Sequence, residues 1–171
     1  MGNETRITII ADTRQHDKKH DLKNEFFLRN GINVVNSKLP AGDYALLTDM
    51  SRVIDTKRNL QELVGNLIQD HDRFSREADF CRDNGIELIV LIEERGMSKV
   101  EDVAHWTNPR LRKWKKDKWC GRKVNPRPPT SNSTLIKIMW TFGKDHHVRW
   151  EFCSPEESGR RVVELLLEGK T

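Results

Sequence analysis

An α/β domain with a mixed central sheet and helices on both faces is the fold this 171-residue sequence predicts. Three observations predict it. Short β-branched apolar runs, at residues 6–11 and 86–92, read as strands buried on both faces. Between such runs lie stretches of helical periodicity, several with a capping residue at the start or a glycine at the end. The order is strand, helix, three strands, helix, strand, a polar insertion, then helix, strand and helix, with no internal repeat.

The composition suits one domain over residues 1–171, with 36% hydrophobic and 33% charged residues. No apolar run approaches the ~20 residues of a membrane span. The first residues lack the apolar region of a signal peptide, and Arg6 stands where a myristoylation motif needs Ser or Thr. Cys81, Cys120 and Cys153 are odd in number and widely spaced, which reads as free thiols in a reducing cytoplasm.

The first strand ends in Asp12-Thr13-Arg14, an acid and an arginine just past the carboxyl end of a buried run, where sites of α/β sheets sit. His16 and His20 have no third metal ligand nearby and read as solvated. Residues 21–30 form a helix with Leu22, Phe26 and Phe27 as its apolar face and Gly31 as its stop; residues 32–35 form a short strand. After a turn at 39–42 come two apolar runs, 42–47 and 52–57. Asn59 and Glu62 give a capping-box start to a helix with Leu60, Leu63, Val64, Leu67 and Ile68 on its core stripe. The helix bends at residues 70–72 and resumes over 74–84. Towards the end, residues 134–142 read as a short helix and 148–152 as a strand. Ser154-Pro155-Glu156-Glu157 then starts a last helix with Val162, Val163, Leu166 and Leu167 inside.

The two runs at 42–47 and 52–57 carry the chemistry. In a strand, residues i and i+2 share a face, so Asp55 and Lys57 project together with Thr56 turned away. Paired as a hairpin, the runs bring Asp43 near Asp55, setting two carboxylates and an ammonium around one point. Magnesium is commonly held by one or two carboxylates plus waters and phosphate. A nearby lysine can orient water or offset charge on a reacting phosphate. The spacing alone is loose, and most single matches are solvated strand ends.

The insertion at 97–133 has no clear apolar period and reads as a long functional loop. Trp106, Trp114 and Trp119 lie in it. Within residues 110–127, Arg110, Arg112, Lys113, Lys115, Lys116, Lys118, Arg122, Lys123 and Arg127 stand against one acid, Asp117. Basic residues interleaved with aromatics suit phosphate contacts and base stacking. The competing account is a solvated loop whose tryptophans cover the edge of the core.

The wording of several ordered segments resembles the nuclease domain of the XPF-type structure-specific endonucleases, a branch of the restriction-endonuclease-like PD-(D/E)xK group. The segments are Ile9-Ile10-Ala11-Asp12-Thr13-Arg14, Gly42-Asp43-Tyr44, Val53-Ile54-Asp55-Thr56-Lys57, Glu62-Leu63-Val64-Gly65-Asn66-Leu67, and Arg73-Phe74 leading to Leu91-Ile92-Glu93. The resemblance implies a restriction-endonuclease-like fold and a Mg²⁺- or Mn²⁺-dependent endonuclease acting on branched or flapped DNA in repair or recombination. It assigns Asp43 and Asp55 to the metal, with the Thr56 carbonyl as a third oxygen, and Lys57 to the attacking water. Asp12 and Glu62 match further acids of the site, and Arg14 a neighbouring arginine. Arg73 and Arg76, close to the motif, join the insertion as phosphate contacts. The usual Glu-Arg-Lys is Asp-Thr-Lys here, and Glu62 lies one residue further from the lysine than is usual. The basic insertion is not a standard feature of the family, and its expected role is grip on DNA. Relatives of this kind commonly dimerise, although no heptad or apolar patch argues for a homodimer here. A compact nuclease of this kind suits a bacterial or phage-infected cytoplasm. Two other readings compete: a non-catalytic nucleic-acid-binding module, and a protein-interaction domain using the tryptophan loop.

Overall fold

Alternation along the strands decides which helices cover which face. In the computed structural model, which describes residues 7–14 and 21–170, six strands form one sheet in the order β2-β1-β3-β4-β5-β6. Strand β1 (Thr8–Asp12) pairs parallel with β2 (Asn33–Ser37) and antiparallel with β3 (Tyr44–Leu46). Strand β3 forms a hairpin with β4 (Asp49–Lys57), and β4, β5 (Glu87–Glu93) and β6 (Val148–Cys153) run parallel. The sheet is mixed, as expected. His16 and His20, and the start of the first run at Arg6, lie outside the described residues.

On β5, Leu88, Val90 and Ile92 enter one core and Ile89 and Leu91 the other, as a strand buried on both faces requires. The first core contains α2 (Leu60–Val64), α3 (His71–Asp83) and α5 (Asn132–His146); the second contains α1 (Asp21–Arg29) and α6 (Ser158–Leu167). Phe74 of α3 stacks on Phe142 of α5 at 5.0 Å between centroids. On the other side Phe27 of α1 meets Tyr44 edge-on.

Several local expectations change. Helix α1 buries Lys23 and Phe27, whereas Leu22 is half exposed. Lys23 finds a carboxylate partner inside, so position rather than hydropathy sets that face. Between α2 and α3 the chain does not simply bend: residues 65–69 form a π-helical turn closed by Asp70 N donating to the Gly65 carbonyl at 3.0 Å. The capping box is half formed. Asn59 Oδ1 accepts from Glu62 N, but the Glu62 carboxylate takes the amide of Arg58, one residue before the cap. Helix α5 runs 15 residues, longer than expected, from a Ser131 cap to His147 in the left-handed conformation. Ser154 and Glu157 start the last helical segment as predicted, with Ser154 Oγ donating to Glu157 Oε2.

The 97–133 segment is more regular than a loop. It contains a short 3₁₀ turn (Val100–His105) and an 11-residue helix, α4 (Pro109–Trp119). Asn108 Oδ1 caps the amide of Arg110, Pro109 takes the first position, and Gly121 at φ +71° follows the end. No residue of α4 is buried. Trp106 packs on the first core, Trp114 donates to the Asn125 carbonyl, and Trp119 is 92% exposed. The tryptophans therefore divide between covering the core and facing solvent.

Candidate functional site

The acids are delivered by a tight turn into the hairpin. Gly42 takes φ +70°, and a Cβ there would lie 3.1 Å from both Val53 Cβ and the Ile54 carbonyl, so glycine alone fits. Asp43 N donates to the Ile54 carbonyl at 2.7 Å, and Asp12 N donates to the Asp43 carbonyl at 2.8 Å. This ties the ends of β1, β3 and β4 together. Asp43 Oδ2 then accepts from the amide and hydroxyl of Thr56, at 2.8 and 2.6 Å. Asp55 and Lys57 share a strand face, and Lys57 Nζ lies 2.7 Å from Asp55 Oδ2. Lys57 also sits 5.2 Å above the Phe74 ring centroid.

These groups line one cleft of ≈ 250 Å³ together with Asp12, Arg14, Glu62 and Arg73. Asp55, Thr56 and Lys57 are each more than nine-tenths buried. Burial pushes the Asp55 carboxyl up to about 6, against the pull of Lys57. It also raises Asp43, against the hydrogen bonds from Thr56. For Lys57, burial opposes the charge, but Asp55, Asp43 and Glu62 outweigh it and the ammonium is held. Burial thus favours the neutral form of the two carboxyls, while the neighbouring acids keep Lys57 charged.

Asp12 is engaged differently. Its two oxygens accept from Arg14 N, Nε and Nη2 and from Leu39 N at 2.7–2.9 Å. Burial raises its pKa, but these donors outweigh it and hold the carboxyl below the usual range. The acid thus fixes the Arg14 guanidinium at the rim. Glu62 likewise holds the Arg58 backbone.

Sequence reasoning assigned no role in this cleft to Lys23, Arg58, Asn66 or Glu77, nor to Glu93 behind it. Lys23 and Glu93 form a buried ion pair between α1 and the end of β5, 2% and 7% exposed. Glu77 accepts from Gly42 N at 2.8 Å and so supports the turn that carries Asp43. Arg58 and Asn66 complete the wall. Asn66 belonged to a quoted motif, and its place on a helix two turns past Lys57 was the available signal. Arg76 is exposed on α3 and does not line the cleft. Arg110 lines a neighbouring cavity. Arg112, Lys113, Lys115, Lys116, Lys118 and Trp119 are exposed on α4, with Trp114 half buried beneath Lys118 and Arg122 and Lys123 exposed beyond it.

Does the cleft suit a divalent cation? Among the described residues no three acidic, His or Cys side chains form a ready cage. Magnesium-type ions need less, one or two carboxylates with water and phosphate completing the shell. Asp55 Oδ2 is buried, with the Lys57 ammonium 2.7 Å away as its counter-charge. Two carboxylates, Asp43 and Asp55, lining one cleft supply the hard oxygen donors such a cation takes.

A family model, the ERCC4 domain, matches residues 11–163. Among solved structures, the chain is similar to XPF from Aeropyrum pernix, at 14% identity and TM-score 0.59, covering 95% of this chain and 65% of that one. The same protein in complex with DNA is similar at 15% identity and TM-score 0.59, covering 94% and 64%. The chain thus spans somewhat less than two thirds of those chains. No curated protein matches it. With a family model running from the end of β1 through the acid-bearing hairpin into the closing helix, the chain belongs to the ERCC4 domain family and carries the XPF-like nuclease fold.

Proposed function

We propose that this chain is a divalent-metal-dependent DNA endonuclease acting on branched or flapped DNA in repair or recombination. The observation that carries the reading is the meeting of Asp43, Asp55 and Lys57 in one cleft, with Lys57 Nζ 2.7 Å from a buried Asp55 oxygen. Membership of the ERCC4 domain family supports it. DNA as the partner is carried over from the Aeropyrum pernix XPF solved with DNA.

Asp43 and Asp55 hold Mg²⁺ or Mn²⁺, with the Thr56 carbonyl as a third oxygen. When bound, such an ion polarises a phosphoryl oxygen and makes water a better nucleophile. Thr56 fixes the Asp43 carboxylate through its amide and hydroxyl, so this ligand is set before loading. Lys57 orients the attacking water and offsets charge on the phosphate. Arg14, held by Asp12, and Arg73 offer guanidinium groups to the backbone of the strand. Glu62 positions Arg58 at the edge of the cleft. The exposed cations of α4 bind phosphate, and Trp119 offers a ring for stacking. Three free cysteines, two of them buried, suit a reducing cytoplasm. Among the described residues no helix is long and apolar enough to cross a membrane.

The test is cleavage of labelled branched, flapped and linear DNAs with Mg²⁺, Mn²⁺ or EDTA, using wild type and Asp55→Asn in parallel. Cutting that needs metal and is lost in the variant supports the reading. DNA binding without cutting under every metal leaves a binding module and sinks the enzyme.

A further inference from the structure

Beside the cleft lies a second, shallower cavity of ≈ 430 Å³. Arg58, Glu62 and Asn66 line both, so the two share a wall. The far side of the second cavity is Arg110, in the first turn of α4. This is where the basic helix reaches the catalytic region.

Four features of this cavity point to a ligand. Gln61 Oε1 and Asn66 Oδ1 are buried acceptors with no hydrogen-bond partner, and both residues line the cavity. Asn66 itself is 9% exposed. Buried polar atoms are nearly always paired, so two orphans at one place ask for a donor. The π-helical turn is the second feature. It swings the residues of 65–69 out of α-helical register, and such turns gather at functional sites. Third, a Cβ at Gly65 would meet nothing within 4 Å, so a ligand can approach that backbone closely. Fourth, two guanidinium groups flank the space. Arg58 has only a long contact to Glu62 at 3.7 Å, and Arg110 has no acid partner among the described residues. Two acids temper this charge: Glu62 is held by the Arg58 amide, and Asp70 lies 3.9 Å from Arg73.

Phosphate alone would satisfy the arginines and leave the two amide oxygens empty. A nucleotide serves both, because every base carries at least one N–H on its pairing edge. In a duplex that edge is already occupied. We infer that this cavity is a subsite for one unpaired nucleotide adjoining the phosphodiester in the cleft, its phosphate on Arg58 and Arg110 and its base edge on Gln61 and Asn66. The inference rests on the nuclease reading for the identity of the neighbouring cleft. It gives a physical origin for a preference for junctions: the site is filled only where a base has left its partner. It also gives α4 a definite place, as one wall of the site.

The experiment measures binding of fluorescent DNA in EDTA, so that nothing is cut. The probes are a flapped duplex, the same flap with the first unpaired nucleotide made abasic, and the fully paired duplex. The proteins are wild type, Gln61→Ala and Arg110→Ala, each checked for folding by circular dichroism. Gln61 is half buried and Arg110 exposed, so both variants should fold. Removing the base should weaken wild-type binding about tenfold, the worth of one or two hydrogen bonds. In Gln61→Ala the abasic change should cost almost nothing more, because the contact is already gone. Arg110→Ala should weaken the flap more than the paired duplex. Equal discrimination of base and abasic DNA by wild type and Gln61→Ala overturns the subsite. So does equal weakening of flap and duplex by Arg110→Ala. A parallel cleavage assay with Mg²⁺ separates the two readings. Cutting with unchanged abasic discrimination removes the subsite and keeps the nuclease. No cutting by wild type removes the nuclease, while the binding series still decides the subsite.

Discussion

The cleft and helix α4 are both densely charged, yet they hold that charge in opposite ways. In and behind the cleft, Asp55, Lys57, Lys23 and Glu93 are almost fully buried, and each meets an opposite charge at close range. On α4 the lysines and arginines are exposed and no residue of the helix is buried. A buried charge interacts strongly and is costly to leave alone. An exposed one is screened and contributes little to folding, but it is free to meet phosphate. The fold therefore depends on the charges of the cleft, while those of α4 remain available to a partner.

Variants can break or sharpen that contrast. The largest effect belongs to the acids. Asp55→Asn should lower metal-dependent cleavage by at least about 100-fold while leaving DNA binding in EDTA intact; loss of both together would mean that Asp55 serves folding rather than chemistry. Next comes Lys23→Met, which strands Glu93 in the interior. Urea unfolding should show a loss of about 3–5 kcal/mol, and Lys23→Met with Glu93→Leu should recover most of it. If the double variant stays as unstable as the single one, the pair is not the source of the loss.

A third, smaller effect concerns pH. Asp12 titrates below its unfolded value in the folded protein, since its Arg14 and Leu39 donors outweigh burial. Its contribution, about 2 kcal/mol for hydrogen bonds to a charged group, is complete above about pH 4. It is lost as pH falls through the lower folded value. The stability gap between wild type and Asp12→Asn should therefore close on acidification; a gap that is constant with pH would separate Asp12 from these donors. The smallest effects are expected on α4. Trp119→Ala should change stability by no more than about 0.5 kcal/mol. Lys115→Ala should lower the salt dependence of DNA binding by about one counterion without altering the melting curve. A marked loss of stability in either would erase the contrast.

Much of the cleft was legible because it is local. The i, i+2 relation of Asp55 and Lys57 needs only the knowledge that β4 is a strand, and Asp43 follows once the hairpin is drawn. The glycine of Gly42-Asp43 is likewise explained by a single turn. What the sequence hid was long-range or cancelled. Lys23 and Glu93 are separated by 70 residues, and although Glu93 closes a quoted segment, nothing local pairs it with Lys23 until α1 packs over the end of β5. Glu77 supports Gly42 from a different helix. Helix α4 escaped notice because hydrophobic periodicity signals burial, and this helix buries nothing; only Asn108-Pro109 and Gly121 marked its ends. The π-helical turn is not announced by the apolar stripe: Leu63, Val64 and Leu67 stay buried across it, but Ile68, expected on the stripe, is turned out to 47% exposure.

The hairpin also separates where the chain can change length from where it cannot. The pairing of β3 with β4 shifts between Ala45 and Leu46, on the side of the turn at residues 47 and 48. On the other side, Tyr44 opposite Ile54 and Ala45 opposite Val53 keep strict register up to the acids. Insertions and deletions arising in descendants can be absorbed at the tip, where the ladder is already irregular. One residue gained between Val53 and Asp55 would instead turn Asp55 and Lys57 to the opposite face of the sheet. Drift in length should accumulate at one end of this hairpin and be purged from the other.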